Sequence, residues 1–264
     1  MTDRKLGPLV GPLVGMVHLL PLPGSPRWGG DMGKVLDRAR ADARALAEGG
    51  MDAVLVENFG DVPFVPGRVS AETCAAMTLA VAAVMDQIQI PVGVNVLRND
   101  VGTALGVAAA TGADFVRVNV HTGNMFTDQG LLEGQAHATL RSRAMLAPWV
   151  RICADVHVKH ATPPAGTSLE ETARDTRDRG LADVLIVSGS GTGQPVDRDR
   201  LRRVREAAPD ATLWVGSGVT PDTVRSILEV ADGVIVGSAL EEGGRAGGPV
   251  EVARVRALVA AARG

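Results

Sequence analysis

The chain has 264 residues, 45% of them hydrophobic, and a formal net charge of -3. That length fills one large domain, and α/β barrels reach it undivided. The near-balanced charge, an aromatic content of 3% and the absence of Tyr argue against a nucleic-acid binder, which needs a basic face and stacking rings.

Short runs rich in Val and Ile alternate with amphipathic segments along the whole chain. VGMVHLL (14–20) predicts a first strand and 32–48 a helix; AVLVEN (53–58) is followed by a helix over 71–85, and VGVNVL (92–97) by one over 101–111. FVRVNVH (115–121) precedes a helical pattern at 132–146, and VRICADVHV (150–158) one at 169–179. DVLIVS (183–188), TLWVGS (212–217) and GVIVGS (233–238) precede helices over 198–208, 220–229 and 250–262. Each run is too short for an ordinary helix. Strands that each lead into a helix imply parallel neighbours, since a parallel pair needs a crossover. Eight such units in this length predict a single-domain (β/α)8 TIM barrel over 1–264, with an open doubly wound sheet as the rival.

A weak repeat sets the register. GMDAVLVE (50–57), GADFVRVN (112–119), LADVLIVS (181–188) and VADGVIVG (231–238) each place an Asp between a helix end and a strand. Their spacing of roughly 50–70 residues is two strand–helix units, so they mark strands two, four, six and eight.

The late strands end in small residues. Ser188, Gly189, Ser190, Gly191, Thr192 and Gly193 follow the sixth; Gly216, Ser217 and Gly218 follow the seventh; Gly237 and Ser238 follow the eighth. Bare amides in such loops, and the free donors of a helix N-terminus, suit a phosphate. Any one glycine turn could serve chain reversal alone; three in succession point to a phosphate cradle.

The early strands end in polar residues. Positions two apart share a face, which groups Arg117, Asn119 and His121, and groups Asp155, His157 and Lys159. His18, Glu57 and Asn95 end the first three strands. Aimed inward, these side chains meet at the C-terminal end of the barrel, where barrel enzymes carry their chemistry. Glu57, Asn95, Asn119, His121, Asp155, His157 and Lys159 are therefore the catalytic candidates. Glu57 or Asp155 could act as base and His121 or His157 as acid, while Lys159 could stabilise negative charge or form a Schiff base. His18, Glu57, Asp155 and His157 could instead hold a divalent metal. The alternative is structural: Arg117 could pair with Asp155 or Glu57 and close the barrel. His137 reads as a solvated residue, and His160 as a loop residue or a ligand. Flavin binding through the same loops is disfavoured.

Cys74 and Cys153 lack metal-ligand spacing and are expected as buried thiols in a reducing compartment. No apolar stretch approaches the ~20 residues that cross a bilayer, and Gly and Pro interrupt the apolar part of the opening segment. Neither membrane insertion nor a signal peptide is expected, and a cytoplasmic protein is the default. The segment 131–146 could support a homo-oligomer.

Across nearly every strand end the chain resembles the BtpA/SgcQ family. The resemblance rests on GMVHLLPLPGSPRW (15–28), DAVLVENFGDVPF (52–64), VGVNVLRND (92–100), FVRVNVHTG (115–123), ADVHVKHA (154–161), LIVSGSGTG (185–193) and GSGVTPDTV (216–224). It implies a barrel of the ribulose-phosphate-binding type. The motif positions it carries onto this chain are Pro21, Pro23, Gly24, Glu57, Asn58, Asn95, Arg98, Asn99, Asn119, Asp155, His157, Lys159 and 188–193. The family is named after a photosystem I biogenesis factor, while other members look like enzymes. The expectation is thus an enzyme acting on a phosphorylated sugar or nucleotide-like molecule, as an isomerase, lyase, glycosyl transferase or hydrolase. The alternative is a non-catalytic photosystem I assembly or stability factor.

Overall fold

The computed structural model describes residues 13–189 and 197–264. Eight parallel strands close a barrel. In chain order these are β1 (Leu13–His18), β2 (Ala53–Glu57), β3 (Val92–Asn95), β4 (Phe115–Val118), β7 (Arg151–Val156), β9 (Val184–Val187), β10 (Leu213–Val215) and β11 (Gly233–Val236). Each neighbours the next, and β11 returns to β1. Outside them run α1 (Met32–Gly49), α2 (Ala71–Met85), α3 (Val101–Thr111), α4 (Ala136–Leu146), α5 (Leu169–Arg174), α6 (Arg198–Ala207), α7 (Val224–Leu228) and α8 (Val252–Arg263). A π-helical turn, Asp175–Arg179, prolongs α5, so the segment expected at 169–179 is continuous but changes its winding. The closed barrel removes the open-sheet rival.

The strands sort their side chains by alternation. Val14, Met16, Ala53, Leu55, Phe115, Cys153, Val184, Ile186, Trp214 and Ile235 pack inside the barrel. Residues of the opposite parity, such as Val54, Val116, Ile152, Leu185 and Val234, pack outward against the helices. The interior is fitted by size. A Cβ on Gly93 would stand 2.2 Å from the Phe115 ring, so the missing side chain makes room for Phe115, which meets Trp214 edge-on at 6.0 Å.

The repeated aspartates have one structural job. Asp52, Asp114, Asp183 and Asp232 each accept a backbone N–H from the first or second residue of the preceding barrel strand: Leu13 at 2.8 Å, Val92 at 2.8 Å, Ile152 at 2.7 Å and Leu213 at 2.8 Å. Four two-strand units are thus clasped at the N-terminal end of the barrel. That end is closed; the opposite end is left for the site.

Three further strands form a small antiparallel sheet in the order β6-β5-β8: β5 (Asn124–Thr127), β6 (Gly130–Glu133) and β8 (Ala161–Thr162). This corrects the fourth helical pattern, whose first residues belong to β6. Leu132 is buried in a satellite cluster with Val120, Met125 and Val158, an apolar contact that fits a helix period equally well. Cys153 is buried inside the barrel, whereas Cys74 is only half-buried, contrary to the expectation for the latter. Among the described residues no helix is long and apolar enough to cross a membrane.

Candidate active site

At the C-terminal end of the barrel a pocket of about 420 Å³, its open side included, is lined by His18, Glu57, Arg117 and Lys159 on one part and by 216–219 and 235–238 on the other. Strand parity explains the meeting. His18, Glu57, Arg117, Gly216 and Gly237 continue the inward-facing rows begun by Met16, Leu55, Phe115, Trp214 and Ile235.

Arg117 and Asp155 form the floor. Arg117 donates from Nε to Asp155 Oδ2 at 2.9 Å and from Nη2 to Oδ1 at 2.8 Å. Asp155 also accepts from the Ser188 hydroxyl at 3.1 Å and from Asn119 Nδ2 at 3.1 Å. Both carboxylate oxygens are committed, so Asp155 is the anionic half of a buried ion pair. Burial works against the Arg117 charge, but the facing Asp155 outweighs it and holds the guanidinium above its ordinary value. The ion-pair alternative for Arg117 is what the geometry supplies.

On the β1–β2 side, Glu57 accepts from Asn95 Nδ2 at 2.5 Å, and its other oxygen lies 3.8 Å from His18 Nε2. Behind His18 stands Glu241, fully buried, which accepts from His18 Nδ1 at 2.5 Å. The Glu241 carboxylate on Nδ1 calls for a proton on that nitrogen, and Nε2 faces Glu57. The ring is sandwiched between Phe59, 4.3 Å away, and Gly237, where a Cβ would stand 2.9 Å from His18 Cε1. Sequence reasoning missed Glu241. It lies just past β11, and only closure of the barrel brings β11 beside β1.

Lys159 enters the pocket from the loop after β7. Burial lowers its pKa, and the nearby Arg117 cation acts in the same direction. Arg98, 4% exposed, reaches over from the loop after β3 and donates from Nη2 to the Lys159 carbonyl at 2.8 Å.

The glycine turns have mixed roles. A Cβ at Gly216 would meet Ile186 Cγ2 at 2.8 Å and Ser188 Oγ at 2.9 Å, so Gly216 makes room for the Arg117–Asp155–Ser188 network as well as lining the pocket. Gly218 adopts φ 67°, the left-handed region glycine enters freely. Ser217 Oγ is buried with no hydrogen-bond partner among the described residues and lines the pocket. Ser238 opens a short 3-10 turn at the pocket wall. Ser188 is buried and Gly189 follows it, whereas Ser190, Gly191, Thr192 and Gly193 lie outside the described residues.

The other candidates sit elsewhere. His121 is fully buried and donates from Nε2 to the Gly180 carbonyl at 2.8 Å; burial holds its pKa below the ordinary value. His157, at φ 52°, points to α5. The single Thr172 hydroxyl proton goes to the Ser168 carbonyl at 2.8 Å, so His157 Nε2 must donate to Thr172 across their 3.0 Å contact. Burial and the Arg200 cation push its pKa down to about 4. With Asn119 and Asp155 it borders a separate small recess. The proposed metal set is therefore divided: His18 and Glu57 are adjacent, Asp155 is held by Arg117, and His157 by Thr172. No cluster of three or more potential metal ligands occurs among the described residues.

Two motif asparagines are scaffold. Asn58 Oδ1 accepts from the Leu97 N–H at 2.7 Å, and Asn99 pairs with both backbone groups of Val120 at 2.9 Å. Asp61 pins the loop after β1 by accepting from the Leu22 N–H at 2.7 Å, and Thr73 donates to the Pro23 carbonyl at 3.0 Å.

A barrel with this division between glycine turns and ionisable side chains matches known proteins at two levels. The photosystem I biogenesis protein BtpA of Synechocystis is 46% identical over 250 residues, 95% of this chain and 87% of the relative. The putative sgc region protein SgcQ of Escherichia coli is 32% identical over 246 residues, 92% and 91% of the two chains. Among solved structures, phosphoribosyl anthranilate isomerase from Thermus thermophilus superposes with a TM-score of 0.57 at 15% identity, covering 94% of this chain and 97% of that one, a likeness of fold. The profile of the BtpA family spans residues 10–264, so it takes in every strand end described above, and the chain belongs to the BtpA family.

Proposed function

We propose that the protein is an enzyme acting on a phosphorylated sugar or nucleotide-like small molecule at the C-terminal end of its barrel. One observation carries the reading: the turns at 216–218 and 237–238 share a single pocket with His18, Glu57 and Lys159. Ser217, whose buried hydroxyl has no partner among the described residues, is the side-chain donor suited to a phosphate oxygen, alongside the amides of the turns. Glu57 and His18 form the proton-transfer pair. Glu57, fixed by Asn95, takes or returns a proton at a carbon or hydroxyl of the ligand; His18, held in one tautomer by Glu241, serves as its partner. Lys159 adds a positive charge to the pocket wall. Asn119, Asp155 and Arg117 keep the floor rigid. Phosphoribosyl anthranilate isomerase, which shares the fold, is named for a phosphorylated compound, in agreement with a phosphorylated ligand. A metal has a weaker place here, because only His18 and Glu57 of the four expected ligands stand together.

The test is a thermal-shift screen of phosphorylated sugars and nucleotides against their dephosphorylated forms, with and without divalent cations. A ligand that binds only the folded protein raises its melting temperature. Shifts confined to phosphorylated compounds and weakened by Ser217→Ala, which removes the proposed side-chain donor, support the reading; equal behaviour of both series overturns it.

A second reading, a scaffold in photosystem I assembly, has one observation in its favour. Met145, Leu146 and Trp149 at the end of α4 are 77%, 44% and 50% exposed, an apolar surface on the outer helices. This reading expects indifference to Glu57→Gln and loss of partner binding with Met145→Lys.

A further inference from the structure

Two cations at this end of the barrel, Arg98 on the loop after β3 and Lys159 in the pocket wall, are not used by the proton-transfer pair. Arg117 is neutralised by Asp155. Arg98 and Lys159 have no ion-pair partner among the described residues. Arg98 is 4% exposed and its Nε is sealed from water with no acceptor. Leaving a guanidinium half-satisfied in such a place is costly. Asp155, Glu57 and Asp128 attract it from a distance, and Arg117 repels it.

Topology says where this pair stands. Around the barrel, β4 lies between β3 and β7. Arg98 leaves the loop after β3 and bonds the Lys159 carbonyl after β7 at 2.8 Å, so its guanidinium lies across the end of β4. In a ring of eight strands β4 is opposite β11, with β10 beside it; these two carry the 237–238 and 216–218 turns. Glu57 and His18, on β2 and β1, occupy the arc between. Lys159 opens onto the same pocket as the turns.

We infer that Arg98 and Lys159 form a second anion site, so that the ligand carries a phosphate at one end and a second anionic group, a carboxylate or a second phosphate, at the other. The inference rests on the phosphate-binding reading above. Such a ligand lies across the mouth and presents its middle carbons to Glu57 and His18. A planar guanidinium fork and an ammonium together suit the oxygens of either anion.

The test compares the affinities of glucitol 6-phosphate, 6-phosphogluconate and glucitol 1,6-bisphosphate by calorimetry, with the shorter pair glycerol 3-phosphate and 3-phosphoglycerate as a check on length. These probes differ at the end remote from the first phosphate. At least one doubly anionic compound is expected to bind about tenfold or more tightly than its singly anionic counterpart, the scale of one charge-assisted bidentate contact. Which of the two anions gains distinguishes a carboxylate from a phosphate site. The advantage is expected to vanish in Arg98→Gln and Lys159→Gln, and to survive in Lys34→Gln, which removes a charge from the exposed start of α1. Because Arg98→Gln removes a buried group, Arg98→Lys provides a variant that keeps the charge, and the wild-type comparison decides even if both fail to fold. Equal binding of all phosphates by the wild type overturns this inference and leaves the phosphate reading standing. An advantage that persists in both Gln variants also overturns it. Binding of none overturns both.

Discussion

His18 Nδ1 lies 2.5 Å from Glu241 Oε1, although 223 residues separate the two in the chain. The contact spans the seam where β11 closes against β1. It orients one imidazole nitrogen toward Glu57 and ties the geometry of the site to closure of the barrel. In the wild type the proton is expected on Nδ1, visible in nitrogen–proton correlation spectra of the histidines. Glu241→Ala leaves that donor buried and unpaired, and is expected to destabilise by about 1–3 kcal/mol. An Nδ1 without a proton in the folded protein would contradict the assignment.

The Arg117–Asp155 pair gives a prediction about order of severity. Removing one partner strands a buried charge, so Arg117→Met or Asp155→Leu alone is expected to cost about 3–5 kcal/mol in urea unfolding. Replacing both is expected to cost less than the sum of the two single losses, because no unpaired charge remains. Additive losses would show that the two side chains act independently.

The aspartate clasps predict a different pattern. Asp114→Ala deprives the Val92 N–H of its acceptor and is expected to lower stability by about 1–3 kcal/mol. It lies at the closed end of the barrel, so ligand affinity is expected to stay within about twofold of the wild type. A large change in affinity with little change in stability would reverse this view.

His157 carries the pH prediction. Its folded-state pKa, about 4, lies below the ordinary 6.5, so the unfolded chain binds the proton more readily. Its contribution to stability is complete above pH 6.5 and is lost as the pH falls toward 4. Arg200 on α6 repels the protonated ring, while Glu170 on α5 attracts it. His157→Gln keeps a donor for Thr172 but cannot titrate. The melting temperature of this variant is expected to fall less than that of the wild type between these pH values, and an equal fall would exclude His157 as a cause.

Much of this architecture is written locally. The alternation of Val14, Met16 and His18 against Leu13 and Val17 is enough to orient β1, and similar parity places Glu57 and Arg117 inside. The Asp repeat gives the two-strand register, but its cause, an acceptor for an N–H at the start of the neighbouring strand, needs the pairing to be seen. The hairpin of β5 and β6 is hidden because Leu131 and Leu132 fit the helix that follows. The turn signal at Asp128, Gln129 and Gly130, where Gly130 adopts φ 101°, was its available mark. His121 and His157 share a strand parity with true pocket residues, yet each lies beyond its strand's last paired residue, where alternation no longer governs direction. Glu241 carries no local signal: acidic residues past a strand are usually solvated, and this one is buried only through a partner at the other end of the chain.

In the proposed reading a phosphate rests on the turns after β10 and β11 while its carrier faces Glu57 and His18. A crystal structure of the protein grown with ribose 5-phosphate tests it most directly. Phosphorus density is expected with oxygens about 3 Å from the amides of 216–218 and 237–238 and from Ser217 Oγ, with the sugar turned toward Glu57. A phosphate bound instead on the outer helices, with the pocket filled only by water, would contradict it.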